Sequence, residues 1–126
     1  MAGEQVLVVE DNERSMKLFR DVLQASGYRI LEATTGERAV ELVIERGPDL
    51  VLMDIQLPDI DGIEALGRLR ADDRVASLPV LALTAQAMEG DRERFLAAGF
   101  DGYLSKPVNI ADLVATVERY CKGRGR

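Results

Sequence analysis

The chain has 126 residues, of which 47% are hydrophobic and 30% charged, with a formal net charge of −6, one cysteine and no histidine. That is the length of one ordinary domain, with apolar residues enough for a packed core. The acidic balance argues against nucleic-acid binding, which needs basic patches, and the lack of histidine excludes a Ser-His-Asp triad, a His-ligated zinc site and a histidine phosphodonor.

No apolar run approaches the roughly 18 residues of a membrane span. The N-terminus, MAGEQVLVVEDN, has no basic segment ahead of its apolar run and is not a signal peptide. The single cysteine, Cys121, excludes an internal disulfide and fits a reducing, cytoplasmic setting.

In chain order, 6-VLVV-9 is short and continuously apolar, the mark of a strand buried on both faces. Residues 12–26 carry Met16, Phe19, Val22 and Leu23 at helical spacing, with Gly27 as the stop. Leu18 falls at the edge of that apolar arc, either a semi-exposed contact for a partner's helix or an ordinary boundary leucine. The segment 28-YRILEA-33 is a weaker strand candidate. Thr34 with Glu37 forms a capping box opening a helix over 35–46, which stops at Gly47-Pro48. A second apolar run, 50-LVLM-53, ends on a bare carboxylate, Asp54. A third helix is expected over 62–71, with Gly67 a mild penalty inside it. The run 79-PVLAL-83 is the next strand, and residues 87–98 the fourth helix, ended by Gly99. After the weaker strand 101-DGYLS-105, Asn109 caps a fifth helix through Tyr120. The tail, 122-KGRGR-126, reads as a flexible basic segment beyond a core of residues 4–121.

Strict strand–helix alternation predicts one α/β domain over residues 1–126, a doubly wound parallel sheet of five strands with helices on both faces. Such sheets bind ligands beyond the carboxyl ends of their strands. The residues there are Glu10 and Asp11, then Asp54, Thr84 and Lys106. Three carboxylates in one crevice repel one another unless a cation neutralises them, and an all-oxygen set suits Mg²⁺ or Mn²⁺ better than zinc. Lysine adds a positive charge and threonine a hydroxyl donor, completing the parts needed to stabilise a transferring phosphoryl group. Each residue alone has a mundane reading as a cap, a turn or a solvated charge; it is their common edge that points to chemistry.

The motifs VVEDN, LMDIQLPDIDG, LALTA and AGFDGYLSKP, in this order and spacing, resemble the receiver domain of bacterial response regulators, the phosphoacceptor half of two-component signalling. The resemblance covers residues 4–121 and implies a flavodoxin- or CheY-like fold with strand order 2-1-3-4-5. It implies that Asp54 accepts the phosphoryl group, and that Glu10, Asp11, Asp54 and the backbone carbonyl of Gln56 hold Mg²⁺. Lys106 then pairs with the phosphoryl oxygens, Thr84 moves to bond them, Tyr103 swings inward behind it, and Pro107 follows a cis peptide. Gln56 and Gln86, two residues beyond the acceptor and the hydroxyl, are placed to tune the phosphoryl lifetime. The implied partners are a sensor histidine kinase or histidine phosphotransfer protein as donor and an output protein met by the face of the fourth helix, fifth strand and fifth helix, with neither nucleic acid nor membrane. Such a domain is not an enzyme, though it catalyses its own phosphorylation and slow dephosphorylation.

Three other readings compete. A haloacid-dehalogenase-type phosphatase needs a second aspartate two residues after the nucleophile, where this chain has Gln56. An FMN-binding flavodoxin needs hydroxyls and glycines where VVEDNERS presents acids. A receiver-shaped interaction module that is never phosphorylated normally lacks one of the acids, Thr84 or Lys106. The chain reads equally as a stand-alone regulator or as the receiver of a longer protein.

Overall fold

The computed structural model describes residues 3–85 and 90–124, the side chains of 122–124 excepted. Five strands, β1 (Gln5–Val9), β2 (Arg29–Ala33), β3 (Leu50–Asp54), β4 (Val80–Thr84) and β5 (Gly102–Ser105), form one parallel sheet in the order β2-β1-β3-β4-β5. The helices are α1 (Glu13–Ala25), α2 (Gly36–Arg46), α3 (Gly62–Arg70), α4 (Asp91–Ala98) and α5 (Ile110–Arg124).

The continuously apolar runs are the interior strands. Every residue of β3 and β4 is buried, because each strand has neighbours on both sides and helices on both faces. Alternation then sorts their side chains into two cores. Leu7, Val9, Val51, Met53, Val80 and Ala82 face α2, α3 and Phe95 of α4. Val6, Val8, Leu50, Leu52, Leu81 and Leu83 face Phe19 and Leu23 of α1 and Leu113 and Val117 of α5. The edge strands β2 and β5 mix buried and exposed residues, which is why their sequences carry weaker signals.

Local chemistry sets the helix ends. The Asn12, Asp61 and Asn109 side chains accept N–H bonds from the first turns of α1, α3 and α5. The expected Thr34–Glu37 box is not formed. Thr35 is the N-cap, its hydroxyl accepting from Arg38 N at 3.1 Å, and Glu37 falls one residue short of the box position. Two further N–H groups of that turn, of Gly36 and Glu37, donate to the Asp59 carboxylate at 2.8 and 3.0 Å. The α5 helix runs to Arg124, past the expected end at Tyr120 and into the basic tail. The expected start of the fourth helix at residue 87 lies outside the described residues, which resume with Gly90, the N-cap of α4.

Candidate functional site

Parallel register brings the strand ends together. Val9 pairs with Met53, Asp54 with Leu83, and Thr84 with Ser105. The next residue of β1's chain, Glu10, therefore emerges beside Asp54, and Lys106 emerges one step beyond the β4–β5 pair. Backbone bonds hold this edge: Ile55 N donates to Leu83 O at 3.1 Å, Lys106 N to Thr84 O at 2.8 Å, and Glu10 N to Ala33 O at 3.0 Å. The Lys106–Pro107 peptide is cis.

The side chains converge accordingly. Lys106 Nζ donates to Asp54 Oδ2 at 2.8 Å and to Glu10 Oε1 at 2.5 Å. Gln56 N–H donates to the other Asp54 oxygen, Oδ1, at 2.9 Å, and Asn12 N–H to Glu10 Oε2 at 3.1 Å. Glu10 and Asp54 are buried, 1% and 6% exposed, whereas Asp11 is exposed. A cleft of about 380 Å³ opens over them, lined by Glu10, Asp11, Asp54, Gln56 and Lys106 among others.

Two buried acids beside one ammonium have a clear electrostatic signature. Burial pushes the Glu10 carboxyl above the ordinary glutamate range; the bonds from Lys106 and Asn12 pull it down without winning, and the adjoining Asp54 adds to the rise. Burial alone lowers the Lys106 ammonium, but its bonds to Asp54 and Glu10 outweigh that and raise it. Both shifts describe an excess of buried negative charge that one lysine only partly offsets. Glu10, Asp11 and Asp54 each offer a carboxylate oxygen, all within 4.8 Å of one another. This hard-oxygen set fits a divalent cation of the Mg²⁺ type.

Thr84 is buried at the end of β4, on the sheet face of Val80 and Ala82. Tyr103 pairs in register with Ala82 and packs on the same core, its ring 5.9 Å from that of Phe95. Thr84 and Tyr103 therefore share the α4 side of the sheet. Gln86 lies outside the described residues. Leu18 is 39% exposed on α1.

Two contributors escape a reading by sequence. Gly62 lies so close to Asp54 that a Cβ there would stand 2.5 Å from the Asp54 carbonyl oxygen. Arg94, in the charged run 91-DRER-94 that reads as a solvated face, lines a cavity with Asp54, Gln56 and Thr84.

Comparison with known proteins agrees with this arrangement. Residues 6–118 match the model of the response regulator receiver domain. The polar-differentiation response regulator DivK of Brucella anthropi is 45% identical over 117 residues, covering 93% of this chain and 95% of the relative. DivK of Brucella ovis is 44% identical over the same length. Among solved structures, the receiver domain of a sensor histidine kinase from Pseudomonas aeruginosa, with a magnesium ion coordinated in its active-site cleft, superposes with a TM-score of 0.88 at 37% identity, covering 96% of this chain and 99% of that one. A chemotaxis response regulator of Vibrio cholerae gives a TM-score of 0.88 at 26% identity, covering 94% and 99%. With the fold, the strand-end cluster and the sequence match in agreement, the chain belongs to the response-regulator receiver domain family of two-component signalling.

Proposed function

We propose that this receiver domain is a phosphorylation-dependent switch in which Asp54 takes a phosphoryl group from a phosphohistidine on a sensor kinase or phosphotransfer protein. The observation that carries the reading is the setting of Asp54: a buried carboxylate at a cleft floor, with one oxygen on Gln56 N–H and the other on Lys106. A carboxylate fixed in this way presents its remaining lone pairs to the cleft in a defined direction.

In the transfer, a bond forms between an Asp54 oxygen and phosphorus while the phosphorus–nitrogen bond of the donor breaks. The electron pair leaves on the imidazole nitrogen, and the donor departs as histidine. Glu10, Asp11 and Asp54, with the backbone carbonyl of Gln56, would hold Mg²⁺ or Mn²⁺, which when bound neutralises charge on the acceptor and phosphoryl oxygens. Lys106, already on Asp54 Oδ2, carries its charge to a phosphoryl oxygen. Thr84 supplies a hydroxyl from the neighbouring strand end. Its movement toward the new group opens space on the α4 side of the sheet for Tyr103, and the face of α4, β5 and α5 changes shape to meet an output protein. Gln56 and Gln86 set how long the aspartyl phosphate survives. The domain catalyses only its own phosphorylation and slow dephosphorylation and is otherwise not an enzyme.

The test is a phosphoryl chase. A histidine phosphotransfer domain carrying labelled phosphohistidine is mixed with the wild type and with Asp54→Asn in the presence of Mg²⁺. Label should pass to the wild type alone. Retention of all label by the donor, or equal labelling of the variant, rejects the reading.

A further inference from the structure

Two hollows meet at Asp54. The cleft of about 380 Å³ contains Lys106, Glu10 and Asp11. On its other side a cavity of about 210 Å³ is lined by Asp54, Ile55, Gln56, Thr84, Ala85 and Arg94. Asp54, Gln56 and Ala85 border both, so Asp54 forms part of the partition. Lys106 serves the first hollow; among the residues lining the second, Arg94 is the cation.

Arg94 is held there loosely. Its guanidinium approaches Asp91, one turn earlier on α4, at 3.5 Å, beyond a good hydrogen bond. It also lies 4.8 Å over the ring of the fully buried Phe95, and its side chain is 58% exposed. The arginine end of both contacts is exposed and the ion pair, to a carboxylate 18% exposed, is longer than a hydrogen bond, so moving the guanidinium costs little. A phosphoryl group on Asp54 brings a charge of about −1.5 to −2 and three acceptor oxygens. A planar guanidinium matches two of those oxygens where an ammonium matches one.

We propose that Arg94 is a second cationic contact for the phosphoryl group, drawn off Asp91 and the Phe95 ring into the Thr84-side cavity as Asp54 is phosphorylated. The inference rests on the proposed phosphoacceptor role of Asp54. It also gives the switch a route that does not pass through Thr84. Phe95, whose ring Arg94 leaves, packs against Tyr103 at 5.9 Å, so the departure of the guanidinium reaches the same aromatic pair.

The experiment follows phosphorylation by acetyl phosphate with Mg²⁺, read as intact mass against time, for wild type, Arg94→Gln, Arg94→Lys and Arg92→Gln, at low and high ionic strength. Arg92→Gln removes the same charge from the same helix outside this cavity. Arg94→Gln should react about tenfold more slowly at low salt, the scale of one solvent-exposed charge-assisted bond. That gap should narrow at high salt. Arg94→Lys should fall between Arg94→Gln and wild type, and Arg92→Gln should match wild type; unchanged thermal melting separates these effects from misfolding. Rates for Arg94→Gln within twofold of wild type, or an equal loss in Arg92→Gln, overturn the proposal. No adduct on wild type with either acetyl phosphate or a histidine phosphotransfer domain carrying phosphohistidine instead overturns the phosphoacceptor reading beneath it.

Discussion

Lys106 Nζ lies 2.8 Å from Asp54 Oδ2, on the carboxylate oxygen that the Gln56 amide leaves free. The same ammonium holds Glu10 at 2.5 Å, so one positive charge stands between two buried acids. The same two acids, with Asp11, offer the carboxylate oxygens that a divalent cation would take.

Removing that charge should therefore destabilise the domain most when no metal is present. For Lys106→Met in EDTA, urea unfolding should show a loss of about 2 kcal/mol, below the 3–5 kcal/mol of a fully buried broken pair because part of the ammonium is solvated. Saturating Mg²⁺ should shrink the difference, since it binds the same carboxylates. The Lys106 pKa is raised in the fold, so its contribution is complete below the ordinary lysine range and is lost only as pH rises through the higher folded value. The difference from wild type should thus hold across neutral pH. An equal loss with and without Mg²⁺ would show that Lys106 acts by packing alone.

The Glu10 pKa is shifted in the same direction, in a more acidic window than that of Lys106. Its folded pKa is raised, so the protonated acid is favoured by folding, and stability is lost as pH rises from the ordinary glutamate range through the folded value. Glu10→Gln removes that titration. Without metal, the variant should be at least as stable as wild type at pH 7, while its Mg²⁺ affinity falls about tenfold or more. Wild-type Mg²⁺ binding should also begin to weaken on acidification above the usual glutamate pKa, because the cation needs the carboxylate. Calorimetric Mg²⁺ titrations and denaturation of the two proteins over pH 5–8 check both statements. Tighter metal binding in the variant contradicts them.

The α3 helix offers a paired test of how its start supports the site. A Cβ at Gly62 would meet two backbone groups, the Asp54 carbonyl oxygen at 2.5 Å and Ile55 Cα at 3.0 Å. Neither can rotate away, so Gly62→Ala should cost about 1–3 kcal/mol and, by displacing Asp54, slow the proposed phosphorylation. Five residues on, a Cβ at Gly67 meets nothing within 4 Å, on an exposed helical surface. Gly67→Ala should stabilise by about 0.5–1 kcal/mol and leave phosphorylation unchanged. Similar effects of the two substitutions would contradict this account of the loop.

What the sequence discloses about this molecule depends on how local each signal is. The interior strands were legible because burial on both faces requires unbroken apolar runs such as 50-LVLM-53, and the acids stood out because each breaks such a run at its end. The start of α2 was misplaced by one residue because Thr34 and Thr35 are both good caps, and the choice is made by Asp59, more than twenty residues away. Arg94 was hidden for a different reason. Alternating charges in 91-DRER-94 satisfy the pattern of a solvated helix face, and only the fold brings one of them, Arg94, to the cavity it lines with Asp54 and Thr84. The same limit applies at the C-terminus, where Lys-Gly-Arg carries no apolar spacing and yet continues the α5 helix to Arg124.

The most direct test of the central claim is the intact mass of the protein after incubation with acetyl phosphate, for wild type and Asp54→Asn, with Mg²⁺ and with EDTA. The account predicts a single phosphoryl adduct on the wild type that requires Mg²⁺ and disappears in Asp54→Asn. An adduct that persists in Asp54→Asn, or that forms equally well in EDTA, contradicts it.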